Sequence, residues 1–349
     1  MDAVKNRKAL NQRMRRALPL LLALLLLLPL SACGGGEKNS IKVVTTIFPL
    51  YDWVRNLWPG DGKEMECVLL QDSGVDLHSY QPTVSDMGQI AACDLFIYVG
   101  GESDEWVEET LKNQTNPKRI CLNLLDILGD AALEEEHKEG MQEDHEHESE
   151  EHESEEHESE EHESGEHEHE EEKDEHIWLS LKNAALCCQA IRDALKQLVP
   201  EQGEALEKDC ASYVQKLEAL QKEYETAAAG AVTKTLLFGD RFPFRYMTAD
   251  LGLDYYAAFV GCSAETEASF ETVIFLAKKL DELGLKAVLR TEGGNQKLAQ
   301  TIIDASEGKS QKVLVLNSLQ SVTGEAVKQG ATYLGIMQEN LEVLKEALK

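Results

Sequence analysis

Histidine and glutamate dominate one segment of the chain, residues 134–176. Within it, His152, His157 and His162 recur every five residues among glutamates, and Met141 is the only aliphatic residue. A block with so little to bury is expected to stay solvated and disordered. Neutral imidazole beside carboxylate suits divalent ions such as Zn²⁺, and histidine-rich tracts are typical of metal capture. The segment is therefore predicted to be a disordered loop that collects metal ions.

Two further histidines, His78 and His176, lie outside this loop or at its border. Each follows a turn-like stretch and precedes a helical pattern, which is a usual ligand position in parallel α/β lobes. An isolated histidine is more often structural than a ligand. The presence of two such residues beside a histidine tract favours a second, structured metal site.

The elements that must position these residues alternate between strands and helices, which predicts parallel sheets with crossover helices. The fold class expected is α/β with two lobes, each a mainly parallel sheet with flanking helices, joined by one long rigid helix. Gln202–Ala229 is that helix, about 40 Å long at 1.5 Å per residue. The predicted boundaries are 41–133 with 177–201 for the first lobe, 202–230 for the linking helix and 231–349 for the second lobe.

Eight predicted strands and seven predicted helices underlie this division into lobes. The predicted strands are Ile41–Ile47, Cys67–Leu70, Asp94–Gly100, Arg119–Leu124, Thr235–Phe238, Leu253–Phe259, Ala287–Leu289 and Val313–Leu316. The other predicted helices are Leu50–Leu57, Val84–Cys93, Ile177–Leu198, Phe270–Leu283, Gln296–Ala305 and Gly330–Leu348.

The N-terminus has the pattern of an export signal. A basic start precedes the apolar run Leu18–Leu30, which is short for a transmembrane helix, and Leu30-Ser-Ala-Cys33 is followed by three glycines. This resembles a bacterial lipoprotein signal. Residues 1–32 are predicted to be removed, Cys33 to be lipidated, and residues 33–40 to form a flexible tether. The mature protein is expected outside the cytoplasm, anchored to the lipid bilayer of the cell membrane.

Charge and cysteine content exclude two classes of protein. The formal net charge is −30, most of it from the His/Glu segment, and no basic patch occurs beyond the first residues. Nucleic-acid binding is therefore not expected. The cysteines form no CxxC pair and no evident disulfide framework, so a thiolate zinc knot is not indicated.

Three motifs carry a resemblance to a known family: Thr45-Thr-Ile-Phe-Pro-Leu-Tyr51, Asp76-Leu-His-Ser-Tyr-Gln-Pro82 and Asp174-Glu-His-Ile-Trp-Leu179. The chain resembles the zinc/manganese-binding receptor lipoproteins of metal-ion ABC importers over nearly all of its mature length. The resemblance implies a metal ion held in the cleft between the lobes, with His78 and His176 as its first two ligands. It also implies a monomer that delivers the ion to an ABC permease in the membrane.

The second lobe departs from the family pattern, since no histidine follows His176. At the position of the family's third ligand the chain offers Gly239, Asp240 and Arg241, of which only Asp240 can coordinate a cation. The family's fourth ligand aligns with Asn317, whose amide is a poor zinc ligand. Glu292 is a further carboxylate at a strand end, although Arg241 would pair with it or with Glu267 instead. The predicted metal ligands are therefore His78, His176, Asp240 and Glu292.

The function expected is reversible capture of Zn²⁺, with Mn²⁺ as a second possibility, for uptake. Imidazole favours zinc, whereas replacement of a histidine by an oxygen ligand shifts the preference toward harder ions. A metal-dependent surface adhesin is one alternative, and a zinc hydrolase is another. Since the chain has no HExxH motif, nucleophile elbow or phosphate loop, an enzyme is not expected.

Overall fold

The computed structural model of the protein describes residues 40–60, 64–113, 115–142, 172–263 and 267–349. The predicted signal peptide, the lipidation site Cys33 and most of the His/Glu segment lie outside the described residues. Among the residues that are described, no helix combines the length and apolar character needed to cross a membrane. Ile41–Lys349 forms one compact unit.

The first lobe is built on a four-stranded sheet with the order β2-β1-β3-β4, in which β1–β3 and β3–β4 are parallel pairs. Buried Val43 and Val44 project from opposite faces of β1 into separate core clusters. The strands are β1 (Ser40–Thr45), β2 (Glu64–Leu69), β3 (Leu95–Tyr98) and β4 (Ile120–Asn123). The helices are α1 (Phe48–Leu57), α2 (Val84–Ala92), α3 (Trp106–Leu111) and α4 (Leu124–Leu128), with one-turn 3₁₀ helices at Leu77–Ser79, Glu102–Asp104 and Gly129–Ala131.

The second lobe repeats this architecture with a parallel sheet of order β6-β5-β7-β8. Its strands are β5 (Thr235–Arg241), β6 (Asp254–Phe259), β7 (Ala287–Arg290) and β8 (Lys312–Val315), and its crossover helices are α7 (Arg245–Leu251), α8 (Phe270–Glu282) and α9 (Gln296–Ala305). In parallel α/β sheets, ligands bind beyond the carboxyl ends of the strands. The segments that follow β5, β6, β7 and β8 therefore form one wall of a cleft.

Long helices connect the lobes into a single core. The remaining elements are α5 (Leu181–Leu198), α6 (Gly203–Ala229), α10 (Gly324–Lys328) and α11 (Tyr333–Ala347), with 3₁₀ turns at Ile177–Leu179 and Pro200–Gln202. One continuous buried cluster joins Trp53 of the first lobe, Leu217 of α6 and Phe238 of the second lobe. A shared core of this kind resists large hinge opening.

Helix α11 fastens the second lobe to the first. The Tyr333 hydroxyl donates to the Trp178 carbonyl over 2.6 Å, and the Tyr333 amide donates to the Asp52 carboxylate over 3.0 Å. The Tyr333 ring also lies edge-on to Trp53, 5.2 Å between centroids. Trp178 also bonds to the second lobe, since its Nε1 donates to the Ser318 carbonyl over 2.8 Å. These buried bonds hold Trp178, two residues after His176, in a fixed relation to both lobes.

The predicted fold class is confirmed, and the differences lie at element ends and in short helices. The helix predicted over Ile177–Leu198 begins at Leu181, because the Ser180 side chain caps it by accepting from the Asn183 amide. Helices α3, α4, α7 and α10 were not predicted. Each has only five to seven residues, which is too short for a helical hydrophobic period to be recognised.

The described start of the His/Glu segment, residues 134–142, which we call the loop stem, lies against the second lobe. The Arg245 guanidinium donates to the Glu134 carbonyl and to the Glu136 carboxylate, each over 2.7 Å. Further along, the Gln142 amide donates to the Ala258 carbonyl of β6 over 2.9 Å. Sequence analysis assigned this stretch to a solvated loop and did not anticipate these contacts. The loop stem is therefore packed against the second lobe.

Candidate metal site

His78 sits in the 3₁₀ turn Leu77–Ser79, which the sequence caps at its start. The Asp76 carboxylate accepts from the His78 amide over 3.1 Å, which fixes the turn. Ring atom Nδ1 of His78 lies 2.7 Å from Ser103 Oγ and 3.7 Å from Glu175 Oε2. A metal-binding histidine usually has such a partner behind its ligating nitrogen, because the partner fixes the ring orientation. The arrangement leaves Nε2 of His78 facing the cleft.

His176 is fully buried and is held by a local carboxylate. Asp174 Oδ1 lies 3.0 Å from His176 Nδ1 and accepts from the His176 amide over 2.8 Å. The hydroxyl of Tyr246, in the second lobe, donates to the Asp174 carbonyl over 2.8 Å and so secures this turn. A histidine whose Nδ1 faces a carboxylate presents the lone pair of Nε2 to a metal ion.

The two Nε2 atoms, of His78 and His176, face each other at 3.2 Å. Two ligand nitrogens of a tetrahedral zinc ion stand about 3.3 Å apart, given Zn–N bonds of about 2.05 Å. Burial, and then the neighbouring His176, lower the pKa of His78 well below its ordinary value. Since only the neutral imidazole binds a metal, this shift keeps His78 competent at acidic pH. The pair has the spacing and the backing groups that a zinc site requires.

Cys262 is the third potential ligand in this cluster. One ligand atom each from His78, His176 and Cys262 lies within 4.8 Å of the others, and among the described residues this is the group of three that could hold a metal ion. Cys262 follows β6 through Gly261, and its amide donates to Glu135 of the loop stem over 3.0 Å. Sequence analysis missed Cys262. Its position just beyond the carboxyl end of a predicted strand was the available signal.

The predicted carboxylate ligands lie in the second lobe, outside this group of three. Asp240 Oδ2 accepts from the Thr291 amide over 2.7 Å and from the Thr291 hydroxyl over 2.6 Å. Asp240 nevertheless lines a cavity of about 340 Å³ together with His78 and Arg241. Both oxygens of Glu292 accept from Ser318, over 2.6 Å from its amide and 2.9 Å from its hydroxyl. Asp240 thus borders the cleft, whereas Glu292 braces a loop.

Asn317, the third candidate in the second lobe, also has structural partners. Its side-chain oxygen accepts from the Leu319 amide over 2.8 Å, and its own backbone amide donates to the Asn340 side chain over 2.8 Å. These bonds shape the turn that follows β8. Asn317 therefore stabilises the loop that carries Gln320.

Arg241 pairs across the cleft with Asp76 and not with Glu267 or Glu292, so that expectation was wrong. Its guanidinium donates to Asp76 Oδ2 over 2.6 Å. Burial opposes ionisation of Asp76, but the hydrogen bond and charge of Arg241 lower the pKa of that carboxyl below its usual value. The ion pair joins the two lobes beside His78. It also neutralises a cation that would otherwise repel a metal ion.

Gln320 is a further buried residue at the cleft that sequence analysis missed. In the orientation that satisfies both ends of its carboxamide, the nitrogen donates to Asp76 Oδ2 over 2.8 Å and the oxygen accepts from His176 Nε2 over 2.8 Å, a bond that a metal ion on Nε2 would replace. The oxygen therefore points at the nitrogen that a metal ion would use. Gln320 extends the second-lobe wall of the site.

Gly261 packs directly on the His176 ring, which leads to a prediction. A Cβ at this position would lie 3.1 Å from His176 Cε1 and 3.0 Å from the Phe242 carbonyl oxygen. We expect Gly261→Ala to displace His176 and to weaken zinc binding about tenfold, the size of effect seen when residues behind a ligand are changed. Chelator competition is the measurement.

The matched control for Gly261→Ala is Gly88→Ala, because Gly88 is exposed within α2 and an added Cβ meets no atom within 4 Å. This control should keep full zinc affinity. Equal zinc affinity of the Gly261→Ala variant and the wild type would show that the ring does not depend on this contact.

Known proteins resemble this chain over most of its length. The chain is similar to zinc-binding protein AdcA of Streptococcus pyogenes serotype M1, at 28% identity over 320 residues, covering 88% of this chain and 56% of that protein. The chain thus spans little more than half the length of this relative. It is also 29% identical over 324 residues to the high-affinity zinc uptake system protein ZnuA of Bacillus subtilis, covering 91% and 90% of the two chains.

The chain also matches a solved zinc-bound structure and the model of a protein family. The Zn(II)-bound ZnuA-like domain of Streptococcus pneumoniae AdcA has a TM-score of 0.65 to this fold at 26% identity, covering 88% of this chain and 99% of that one. The profile described as zinc-uptake complex component A, periplasmic, matches residues 43–347. This match covers both lobes, the linking helix and the cleft residues, and the chain therefore belongs to the ZnuA family of zinc-uptake components.

Proposed function

We propose that this protein is the metal receptor of a zinc importer, which binds one Zn²⁺ in the cleft between its lobes and releases it to a membrane permease. The observation that carries the proposal is the pair of Nε2 atoms of His78 and His176, 3.2 Å apart. Their partners behind the rings, Ser103 and Asp174, fix both nitrogens toward one point. Membership in a family of zinc-uptake components, and not of enzymes, supports a receptor over a zinc hydrolase.

The charges around the cleft favour a divalent cation. Asp76, Asp174 and Glu175 are carboxylates next to the two histidines, and Arg241 is the cation that pairs with one of them. An excess of buried negative charge concentrates cations at the site. Burial raises the pKa of Glu175, which lies behind His78. A bound metal ion would oppose this effect by stabilising the ionised form.

Zinc is the proposed cargo rather than manganese. Imidazole ligands favour Zn²⁺ over Mn²⁺, and intrinsic affinity follows the same order. The relatives named above are described as zinc-binding or zinc-uptake proteins. The histidine tract has the same preference, because a manganese receptor gains little from nitrogen ligands. We therefore expect zinc to be retained when both ions are offered at equal concentration.

A fourth, oxygen ligand from the second lobe is part of the proposal, and Asp240 is the stronger candidate. Asp240 lines the cavity next to His78, whereas both oxygens of Glu292 are used by Ser318. We expect Asp240→Asn to weaken zinc binding about tenfold. Glu292→Gln should change the zinc affinity less than about threefold while lowering thermal stability through the loss of a charged hydrogen-bond acceptor.

Isothermal titration of the two carboxylate variants beside the wild type is the measurement. If Glu292→Gln weakens zinc binding and Asp240→Asn does not, the ligand assignments of Asp240 and Glu292 must be exchanged. If neither variant changes the affinity, water or another side chain completes the coordination.

The proposed location is outside the cytoplasm, with the protein tethered to the membrane by lipid on Cys33. The sequence Leu30-Ser-Ala-Cys33 and the glycines after it support this assignment. The proposed partners are the divalent ion, the lipid bilayer and an ABC permease, with the receptor acting as a monomer. A surface adhesin remains the alternative, and it would be favoured if loss of the gene reduced attachment without reducing zinc uptake.

Metal analysis of the purified protein, followed by uptake measurements in a deletion strain, tests the proposed function. We expect zinc in the isolated protein and slow uptake of radioactive zinc in the deletion strain when zinc is scarce. Restoration by the wild-type gene, and not by a gene carrying His176→Ala, would connect uptake to the cleft. Normal uptake in the deletion strain under zinc limitation would contradict the proposal.

A further inference from the structure

We propose that Cys262 is a second-lobe ligand of the cleft metal, so that the ion is bound by two imidazoles and a thiolate beside the oxygen ligand proposed above. This inference rests on the proposed zinc-receptor function and specifies its ligand set. It supplies the third protein ligand at a site where the expected histidine of the second lobe is absent. It also connects the lobes through the ion, because His78 and His176 belong to the first lobe and Cys262 to the second.

The first argument is placement. Gly261 lies against the His176 ring at 3.1 Å, measured from an added Cβ, so the backbone that carries Cys262 is already at the site. The Cys262 amide is held by Glu135 Oε1 over 3.0 Å. Both contacts fix the backbone from which the thiol extends. The Cys262 backbone is therefore held next to the histidine pair.

The second argument is geometry. The ligand atoms of His78, His176 and Cys262 lie within 4.8 Å of one another. A tetrahedral zinc ion needs about 3.3 Å between two nitrogens and about 3.6 Å between nitrogen and sulfur. The nitrogen pair already has its distance at 3.2 Å. The Cys262 sulfur lies within 4.8 Å of the other two ligand atoms, so it would have to approach them by about 1.2 Å at most to share one ion.

The third argument is chemistry. A His₂Cys set completed by one oxygen ligand suits zinc, and thiolate selects zinc over manganese more strongly than a carboxylate does. Binding follows the balance Cys–SH + Zn²⁺ → Cys–S⁻–Zn²⁺ + H⁺, so one proton leaves the thiol for each ion bound. Glu135, whose carboxylate holds the Cys262 amide and also hydrogen-bonds the thiol, is the nearest group to accept that proton.

Cobalt substitution tests the inference on the full-length protein. Tetrahedral Co²⁺ bound to a thiolate shows a sulfur-to-metal charge-transfer band in the near ultraviolet, which imidazole and carboxylate ligands do not produce. We expect this band in the wild type at one equivalent of Co²⁺ and its loss in Cys262→Ser. The control is Cys121→Ser, because Cys121 is an exposed free thiol and should not affect the band. Absence of the band in the wild type, or its persistence in Cys262→Ser, would overturn the assignment.

Two further measurements keep the test decisive. Cys262→Ser should weaken Zn²⁺ binding by about tenfold to a hundredfold and reduce the preference for Zn²⁺ over Mn²⁺. In the wild type, Zn²⁺ should slow the alkylation of Cys262 by iodoacetamide, as mapped by mass spectrometry, and should not slow the alkylation of Cys121. If Cys262 is alkylated at the same rate with and without Zn²⁺, the inference is contradicted. This result can be obtained even if the serine variant fails to fold. Tight zinc binding without a charge-transfer band would refute the thiolate and leave the receptor function intact, whereas no tight zinc binding at all would refute both.

Discussion

Replacement of His176 by alanine is expected to remove tight zinc binding. His176 is fully buried, and its Nε2 faces His78 Nε2 at 3.2 Å. Apparent zinc-binding free energies of about 10–16 kcal/mol shared among four ligands assign roughly 2.5–4 kcal/mol to each. Loss of one ligand should therefore weaken binding on the order of a hundredfold or more. His78→Ala should have an effect of similar size.

Chelator competition, with thermal unfolding measured in parallel, is the test for these variants. His137→Ala is a matched control, because His137 is a histidine of the loop stem outside the three-residue ligand group. It should retain the cleft affinity. An unchanged affinity in the His176→Ala or His78→Ala variant would remove that residue from the ligand set.

Deletion of residues 143–171, with a flexible Gly/Ser linker in their place, is expected to remove several weak zinc sites and keep one tight site. The deletion should begin after Gln142, because Glu135, Glu136 and Gln142 contact the second lobe. The deleted residues carry many imidazoles and carboxylates. Because the sequence predicts no fixed geometry for these groups, we expect them to share ions and to bind each of them loosely. Calorimetric titration should show a stoichiometry that falls from several ions to one.

The pH dependence separates the two kinds of site. Histidines with ordinary pKa values of about 6.5 become protonated as the pH falls from about 7.5 to about 5.5, and they then release their ions. Burial and the neighbouring His176 lower the pKa of His78, so its neutral, metal-binding form persists in that range. Acidification should therefore empty the weak sites of the full-length chain first. Loss of the tight site on deletion would show instead that a loop histidine is a ligand of the cleft.

The architecture could be predicted from the sequence because the strand and helix patterns are local and recur along the chain. Alternating strand and helix patterns are enough to specify parallel sheets, and Gln202–Ala229 is apolar at helical intervals over its whole length. The start of α5 was misplaced because a 3₁₀ turn, Ile177–Leu179, precedes Ser180 and resembles the first turn of a helix.

The cleft could be predicted only in part from the sequence, because its second-lobe side depends on how the two lobes pack together. His78 and His176 stand in recognisable motifs. Cys262 does not, because a single thiol after an apolar strand resembles an ordinary buried residue. Arg241 was expected to find a partner within its own lobe, but its partner Asp76 is 165 residues away across the cleft. Contacts between distant segments of this kind leave no periodic signal in the sequence.

Anomalous X-ray diffraction at the zinc absorption edge, on crystals of the zinc-loaded protein, tests the central claim most directly. A single strong peak is predicted in the cleft, about 2.1 Å from Nε2 of both His78 and His176 and about 2.3 Å from the Cys262 sulfur. A principal peak bonded to only one of these histidines, or located outside the cleft, would contradict the account.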